Sequence, residues 1–174
     1  MTTRQVANDA ARFRRVMGRF ATGVTVVTWL RDGAPAGMTA NAFMSVSLEP
    51  QLVLVSARNA SRFCASVRAG DTFGINFLGE HQENVSAHFG GKATEGLGAM
   101  ATHASGTPYL PESLAHLIVR VVDIHPAGDH RLYVAEVVAL EESVAGDDVN
   151  PLLFYSGRYG RLAGRHADNP ACRA

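Results

Sequence analysis

The spacing of apolar residues changes character along the chain. Phe13, Val16, Met17 and Phe20 stand at i, i+3, i+4 and i+7, one stripe of a helix. Asn8 or Asp9 is placed to cap its start, and arginines take the other faces. The stripe is read as a helix lying across a barrel, not as a membrane-surface helix. After Phe20 the period shortens. Val24-Thr25-Val26-Val27-Thr28-Trp29-Leu30 is β-branched and aromatic, the composition of a strand. Asp32-Gly33 then signals a hairpin, and residues 36–39 are expected to return antiparallel. Residues 52–55 read as a buried strand ended by 56–59, after which Asn59 or Ser61 caps a short helix through Val67. Gly70-Asp71 breaks that helix. Residues 72–78 predict a strand and 83–89 a short helix. Strands follow at 117–122, at 130–140 after a turn at 126–129, and at 152–155. Within 130–140, Leu132, Val134, Glu136 and Val138 alternate with Tyr133, Ala135 and Val137, so both faces are mostly apolar. Residues 90–116 show no period and read as a long loop, the kind that carries function in compact domains.

Strands outnumber helices and tight turns join several of them. This predicts one mainly β domain over residues 1–174, with a core at about 13–159 and a tail at 160–174. The architecture expected is an antiparallel barrel with helices closing its ends. The length of 174 residues suits a single domain. A hydrophobic fraction of 47% supplies its core, and 18% charged residues with a net charge of +0 argue against a nucleic-acid binder. Residues 1–20 carry five arginines without an apolar signal-peptide core, and no apolar run reaches transmembrane length. The expectation is a cytoplasmic protein without membrane or nucleic-acid partners.

Candidate chemistry narrows by elimination. No histidine pair has the two-histidine helical spacing of zinc enzymes, and His81 with His88 lacks a third ligand, so no metal site is expected. There is no G-x-S-x-G elbow, no Walker sequence and no G-x-G-x-x-G after a strand. Cys64 and Cys172 read as free thiols. Gly90-Gly91-Lys92 is a weak anion nest. Two stretches remain. Residues 37–47 place small and hydroxyl residues between two strands. Residues 56–62 (Ser56-Ala57-Arg58-Asn59-Ala60-Ser61-Arg62) run off a strand into a helix, with hydroxyls and arginines suited to a phosphate. The same residues equally suit a plain helix cap, and the two readings stand side by side.

A set of ordered motifs adds to this reading. They are Phe20-Ala21-Thr22-Gly23-Val24-Thr25-Val26-Val27-Thr28, Gly37-Met38-Thr39-Ala40-Asn41-Ala42-Phe43 and Ser45-Val46-Ser47-Leu48-Glu49-Pro50. Phe73-Gly74-Ile75-Asn76-Phe77-Leu78, Gly128-Asp129-His130, Pro151-Leu152-Leu153-Phe154-Tyr155 and Gly157-Arg158-Tyr159 continue the series. In this order they resemble the short-chain flavin reductase family, the reductase components of two-component flavin monooxygenases, over roughly residues 13–159.

The resemblance implies a six-stranded antiparallel split β-barrel of Greek-key type, capped by helices, acting as a homodimer. It implies NAD(P)H:flavin oxidoreductase activity that reduces FMN or FAD with NADH or NADPH and supplies a monooxygenase. The alternative is a flavin-binding protein without reductase activity. Met38, Thr39, Ala40, Asn41 and Ala42 would line the flavin ring and ribityl chain, with Ser45, Val46 and Ser47 continuing the wall. Ser56, Ala57, Arg58, Ser61 and Arg62 would serve the phosphate end, with His88, Phe89 and Gly90 near it. Tyr155, Arg158 and Tyr159 would border the nicotinamide side, where His130 would act as the catalytic residue. Three features depart from the family pattern: Gln51 in place of a second proline, Ala135 in place of glycine, and residues 92–107, which lack the usual aromatic and arginine residues.

Overall fold

The computed structural model describes residues 10–143 and 149–162. Asn8, Asp9, His166 and Cys172 therefore lie outside the described residues, as does most of the expected tail. The chain opens with helix α1 (Ala10–Met17) and strands β1 (Thr22–Gly23), β2 (Thr25–Arg31), β3 (Ala34–Ala40), β4 (Phe43–Leu48) and β5 (Gln51–Arg58). Helix α2 (Arg62–Ser66), strand β6 (Thr72–Phe77), a 3₁₀ turn (Glu80–Gln82) and helix α3 (Glu83–Phe89) follow. Short strands β7 (Ala101–Thr102) and β8 (Pro108–Tyr109) interrupt the long loop. Two long strands, β9 (Ala115–Ala127) and β10 (His130–Glu142), precede the closing pair β11 (Leu153–Tyr155) and β12 (Arg158–Gly160).

The main sheet is antiparallel in the order β3-β2-β6-β9-β10-β5-β4. It has seven strands, not the six expected. The difference lies at Phe43–Leu48, which pairs with β5 as a full edge strand. Its two edges, β3 and β4, are joined by Asn41-Ala42 alone. Laid flat, the sheet would hold those edges about 29 Å apart at 4.8 Å per strand, whereas that link spans at most about 10 Å. The sheet therefore curls into a barrel split between β3 and β4. The Phe43 and Phe77 rings, four strands apart in sheet order, meet with centroids 5.2 Å apart.

Turn chemistry sets the register. Asp32 and Gly33 have φ of 53° and 77°, the double positive φ of a type I′ hairpin, and Arg31 pairs with Ala34 across it. Ser156 and Gly157 repeat the device between β11 and β12.

Two apolar layers hold the barrel. Val27, Trp29, Val55, Phe73, Ile75, Val119, Tyr133 and Ala135 face inward and bury almost completely. Helix α2 plugs one end with Phe63, whose ring meets Trp29, Phe73 and Tyr133 edge-on at 4.8–5.2 Å. Truncating such a ring to alanine costs about 3–5 kcal/mol. A second cluster gathers Val26 of β2 with Val24 just before it and Leu78 just after β6, packed with Leu110 and Leu152. Both faces of β2 and β6 are thus largely buried, and the polar residues on them, Thr25, Thr28 and Asn76, are buried too.

Helix α1 departs from expectation. It forms over Ala10–Met17, so Phe20 of the expected stripe falls past its end, and it buries no residue: Phe13 and Phe20 are 67% and 71% exposed. No element among the described residues covers the stripe.

Candidate functional site

Strand β3 is the spine of the candidate site. Its edge is open because the barrel splits there, and three clefts follow one another along it. The first, of ≈ 710 Å³, runs from the Arg31-Asp32 turn along Ala34–Met38. The second, of ≈ 210 Å³, continues at Thr39, Ala40 and Asn41. The third, of ≈ 780 Å³, takes over at Asn41 and Ala42 and reaches the apolar stripe of α1. Gly90 belongs to the first two clefts, and Asn41 and Phe154 to the last two, so the three adjoin in series along β3 as a segmented groove.

This groove gathers many of the residues singled out from sequence. Met38, Ser61, Arg62, His88, Phe89 and Gly90 line the first cleft. Thr39, Ala40, Asn41, Gly90 and Tyr159 line the second, and Asn41, Ala42 and Ser56 the third. Other expected residues sit elsewhere. Ser45, Val46 and Ser47 lie on β4 outside these clefts, and the β4–β5 register shifts between Ser45 and Ser47. Ala57 points into the barrel core, 4% exposed, so its side chain does not reach the groove. Arg58 and His130 face each other across the β5–β10 ladder. Tyr155 is exposed and its hydroxyl accepts from Arg19 Nη1 at 3.4 Å, while Arg158 is exposed beside the Ser156-Gly157 turn.

Local interactions show why the walls stand where they do. Thr39 Oγ1 donates to the Ser86 carbonyl at 2.6 Å, and the Ser86 and Tyr159 hydroxyls meet at 2.9 Å. These two bonds clasp β3, α3 and β12 around the second cleft. At the first cleft, Phe89 lies so close to Gly37 and Gly98 that a Cβ on either glycine would sit under 3 Å from its ring. His88 Nδ1 accepts the Thr94 amide at 2.9 Å. The last residues of α3 thus pin the following loop against β3.

The residues 56–62 resolve into two separate jobs. Ser61 Oγ accepts the Cys64 amide at 3.1 Å and is the helix cap. Arg62 makes no hydrogen bond or ion pair among the described residues and lines the first cleft with its charge uncompensated. Arg31, also on that cleft, has only its neighbour Asp32, at 3.6 Å from Nε, which leaves both terminal guanidinium nitrogens without a partner among the described residues. The cleft is therefore suited to an anion.

His130 and Asp129 form a tight pair, Nδ1 to Oδ1 at 2.7 Å. An ionised carboxylate only accepts, so Nδ1 carries the proton and Nε2, which makes no hydrogen bond among the described residues, is left as an acceptor. The hydrogen bond from His130 is the main cause holding the Asp129 carboxyl below the usual carboxylate range. No group of three or more His, Cys, Asp or Glu able to hold a metal occurs among the described residues.

Sequence reasoning missed Arg31, Asp32 and Phe154, and took Trp29 as core alone. Trp29 is core, 1% exposed, and also lines the first cleft. The Asp-Gly turn was the available signal, since a two-residue hairpin returns the chain beside Arg31.

Comparisons with known proteins agree with this geometry. Residues 17–163 match the family model described as flavin reductase like domain. An NADH-dependent flavin reductase of Rhodococcus sp is 43% identical over 160 residues, 90% of this chain and 89% of that protein. The reductase component of a 4-nitrophenol 4-monooxygenase/4-nitrocatechol 2-monooxygenase of Rhodococcus opacus is 42% identical over 155 residues, covering 88% and 82% of the two chains. Among solved structures, the Streptomyces globisporus C-1027 NADH:FAD oxidoreductase SgcE6 in complex with NAD and FAD fragments superposes with TM-score 0.83 at 32% identity, covering 91% of this chain and 96% of that one. On the extent of these matches and the split barrel they share, the chain belongs to the flavin reductase like domain family.

Proposed function

We propose that this protein is an NADH-dependent flavin reductase that supplies reduced flavin to a partner monooxygenase. The observation that carries the reading is the series of adjoining clefts along β3, in a chain of this family. Its parts fit a flavin. The third cleft is largely apolar, with Phe43, Met44, Leu54 and Phe154 available to a flat ring. The Thr39–Ala42 segment borders the second and third clefts with backbone groups and the Asn41 amide. Arg62 faces the first cleft as an unpaired cation.

When bound, the flavin supplies the hydride-accepting ring and the reduced nicotinamide supplies the hydride. The chain's own work is positioning. The Thr39–Ser86–Tyr159 clasp keeps the groove wall rigid, so that bound rings are held at fixed spacing. Arg62 holds a phosphate by charge-assisted hydrogen bonds. Asp129 holds the proton on His130 Nδ1, which leaves Nε2 as an acceptor for the nicotinamide amide. Tyr155 and Arg158 border that side, and Ser45, Val46 and Ser47 extend the ring wall along β4.

The assembly that fits is a homodimer. The stripe of Phe13, Val16, Met17 and Phe20, with Met44 on β4, is exposed beside the third cleft, and a second copy would cover it. No helix among the described residues is long and apolar enough to cross a membrane. We place the reaction in the cytoplasm, with its nicotinamide pool.

The test is NADH oxidation by purified protein with added FMN or FAD. Catalysed oxidation is expected with at least one flavin. A protein that binds flavin yet never oxidises NADH or NADPH would instead be a flavin carrier. Light scattering during size-exclusion chromatography checks the dimer.

A further inference from the structure

A separate cavity of ≈ 220 Å³ lies between the C-terminal end of α2, the start of β6 and the β7–β8 turn. It shares one lining residue, Trp29, with the first cleft. At about 30 Å³ per water it holds about seven waters, less than the roughly 300 Å³ of a drug-sized site. Its walls are largely polar: Ser66, Asp71, Thr72, Ser105 and Thr107 line it with Trp29. Hydrogen bonding decides which of these groups stay free. His103 Nδ1 accepts the Ser105 amide at 3.1 Å, so it carries a lone pair, and the Ser105 hydroxyl at 2.9 Å donates to it. Each hydroxyl has one proton. Thr107 Oγ1 therefore donates to Ser105 Oγ at 3.0 Å, and Thr72 Oγ1 donates to Thr107 Oγ1 at 2.7 Å. The protons all run toward His103, which leaves the Thr72 oxygen with open lone pairs. Asp71 Oδ2 accepts the Arg68 amide at 2.8 Å, and its Oδ1 has no partner among the described residues. Against these acceptors stands one buried donor: Trp29 Nε1 has no partner among the described residues. A buried N–H left unmet is costly.

We propose that this cavity binds a small polyhydroxy compound, of the class that runs from polyols to single sugar rings. A hydroxyl meets both demands of the walls: it donates to Thr72 Oγ1 and Asp71 Oδ1, and it accepts from Trp29 Nε1. An ammonium only donates, which leaves the indole N–H unmet. A phosphate or carboxylate only accepts, and Asp71 repels it. Thr107, 2% exposed, anchors the hydroxyl row, so the acceptors are set before a ligand arrives. The site stands apart from the flavin reading, since its polar groups belong to none of the three clefts along β3.

The chain has one tryptophan, Trp29, and it lines this cavity, so its emission reports occupancy. The experiment titrates the full ligand-free chain with D-glucose and D-xylose, followed by Trp29 emission and by saturation-transfer NMR of the sugar protons. Methylammonium and sulfate serve as the cation and anion controls. Saturable sugar binding is expected, with neither control bound. Thr72→Val removes the open acceptor at nearly constant volume and should weaken the sugar about fivefold, the effect of losing one neutral hydrogen bond. Ser66→Phe fills the cavity and should abolish binding; circular dichroism confirms that each variant is folded. Saturating FMN should leave the NMR signal of the sugar in place. Absence of saturable binding by the parent chain up to about 100 mM sugar overturns the proposal, because water alone then fills the cavity. Binding of either control in place of the sugars overturns the ligand class. Equal sugar binding by the parent and both folded variants, or full displacement of the sugar by FMN, places it elsewhere and overturns the site.

Discussion

Replacing Asn76 by alanine tests whether a buried polar bolt, and not apolar packing alone, holds the long loop onto the barrel. Asn76 is fully buried on β6. Its Nδ2 donates to the Val26 carbonyl at 2.8 Å and to Thr28 Oγ1 at 3.1 Å, and its Oδ1 accepts the Leu110 amide at 2.7 Å. Thr28 Oγ1 in turn donates to the Pro108 carbonyl at 2.6 Å. Asn76→Ala leaves the Leu110 N–H and the Val26 carbonyl with no side chain to meet them. A buried donor or acceptor left unsatisfied costs about 1–3 kcal/mol. Removing the apolar part of the side chain adds little, so the loss is about 3 kcal/mol, a large fraction of the roughly 5–15 kcal/mol of a typical domain. For a chain of this size that lowers Tm by about 6–12 °C. Urea unfolding of ligand-free protein at fixed concentration gives the stability, and the midpoint should fall with little change in slope. A cycle with Thr28→Val should show coupling above about 0.5 kcal/mol, because both residues anchor the same loop. A loss below about 0.5 kcal/mol for Asn76→Ala would refute the argument.

Further outcomes follow from other contacts. Gly37→Ala places a Cβ against the Phe89 ring, so Phe89 must swing; flavin binding should weaken while stability drops by only about 1–3 kcal/mol, read by flavin titration beside urea unfolding. Ser61→Ala removes the cap of α2 and should cost about 1 kcal/mol, with flavin affinity retained because Arg62 carries the charge; a loss of binding larger than the loss of stability would assign Ser61 a ligand contact. Burial holds His116 below its ordinary value of 6.5, against the opposing pull of Glu141 and with a smaller push from His103. The unfolded chain therefore binds this proton more readily, so stability should decline as pH falls through 6.5 toward the depressed folded value. His116→Gln should flatten that decline in urea midpoints measured across the range.

What could be read from the chain, and what could not, divides by the range of the interactions involved. The β2–β3 hairpin was legible because Asp32-Gly33 names its own turn, and α2 because Ser61 stands before an apolar run. β4 was hidden: Ser45 and Ser47 make it look like a polar connection, and only its pairing with Leu52–Val55 of β5 makes it a strand. The split was legible only through the ordered motifs and the family they resemble, since nothing in the Asn41-Ala42 link itself announces that it joins the two edges of a curled sheet. The same limit applies to the stripe on α1, where periodicity predicts the helix but not the surface it meets. For the site, local sequence left residues 56–62 undecided between cap and anion site. The structure divides the two roles between adjacent side chains: the Ser61 hydroxyl is consumed by the Cys64 amide, and the Arg62 guanidinium is left over. A helix cap must be short enough to fold back on its own turn, whereas a ligand cation must reach away from it. Reading such loops by asking which polar groups the fold has already used separates scaffold from site, and here that count leaves Arg62 as an unspent charge on the first cleft.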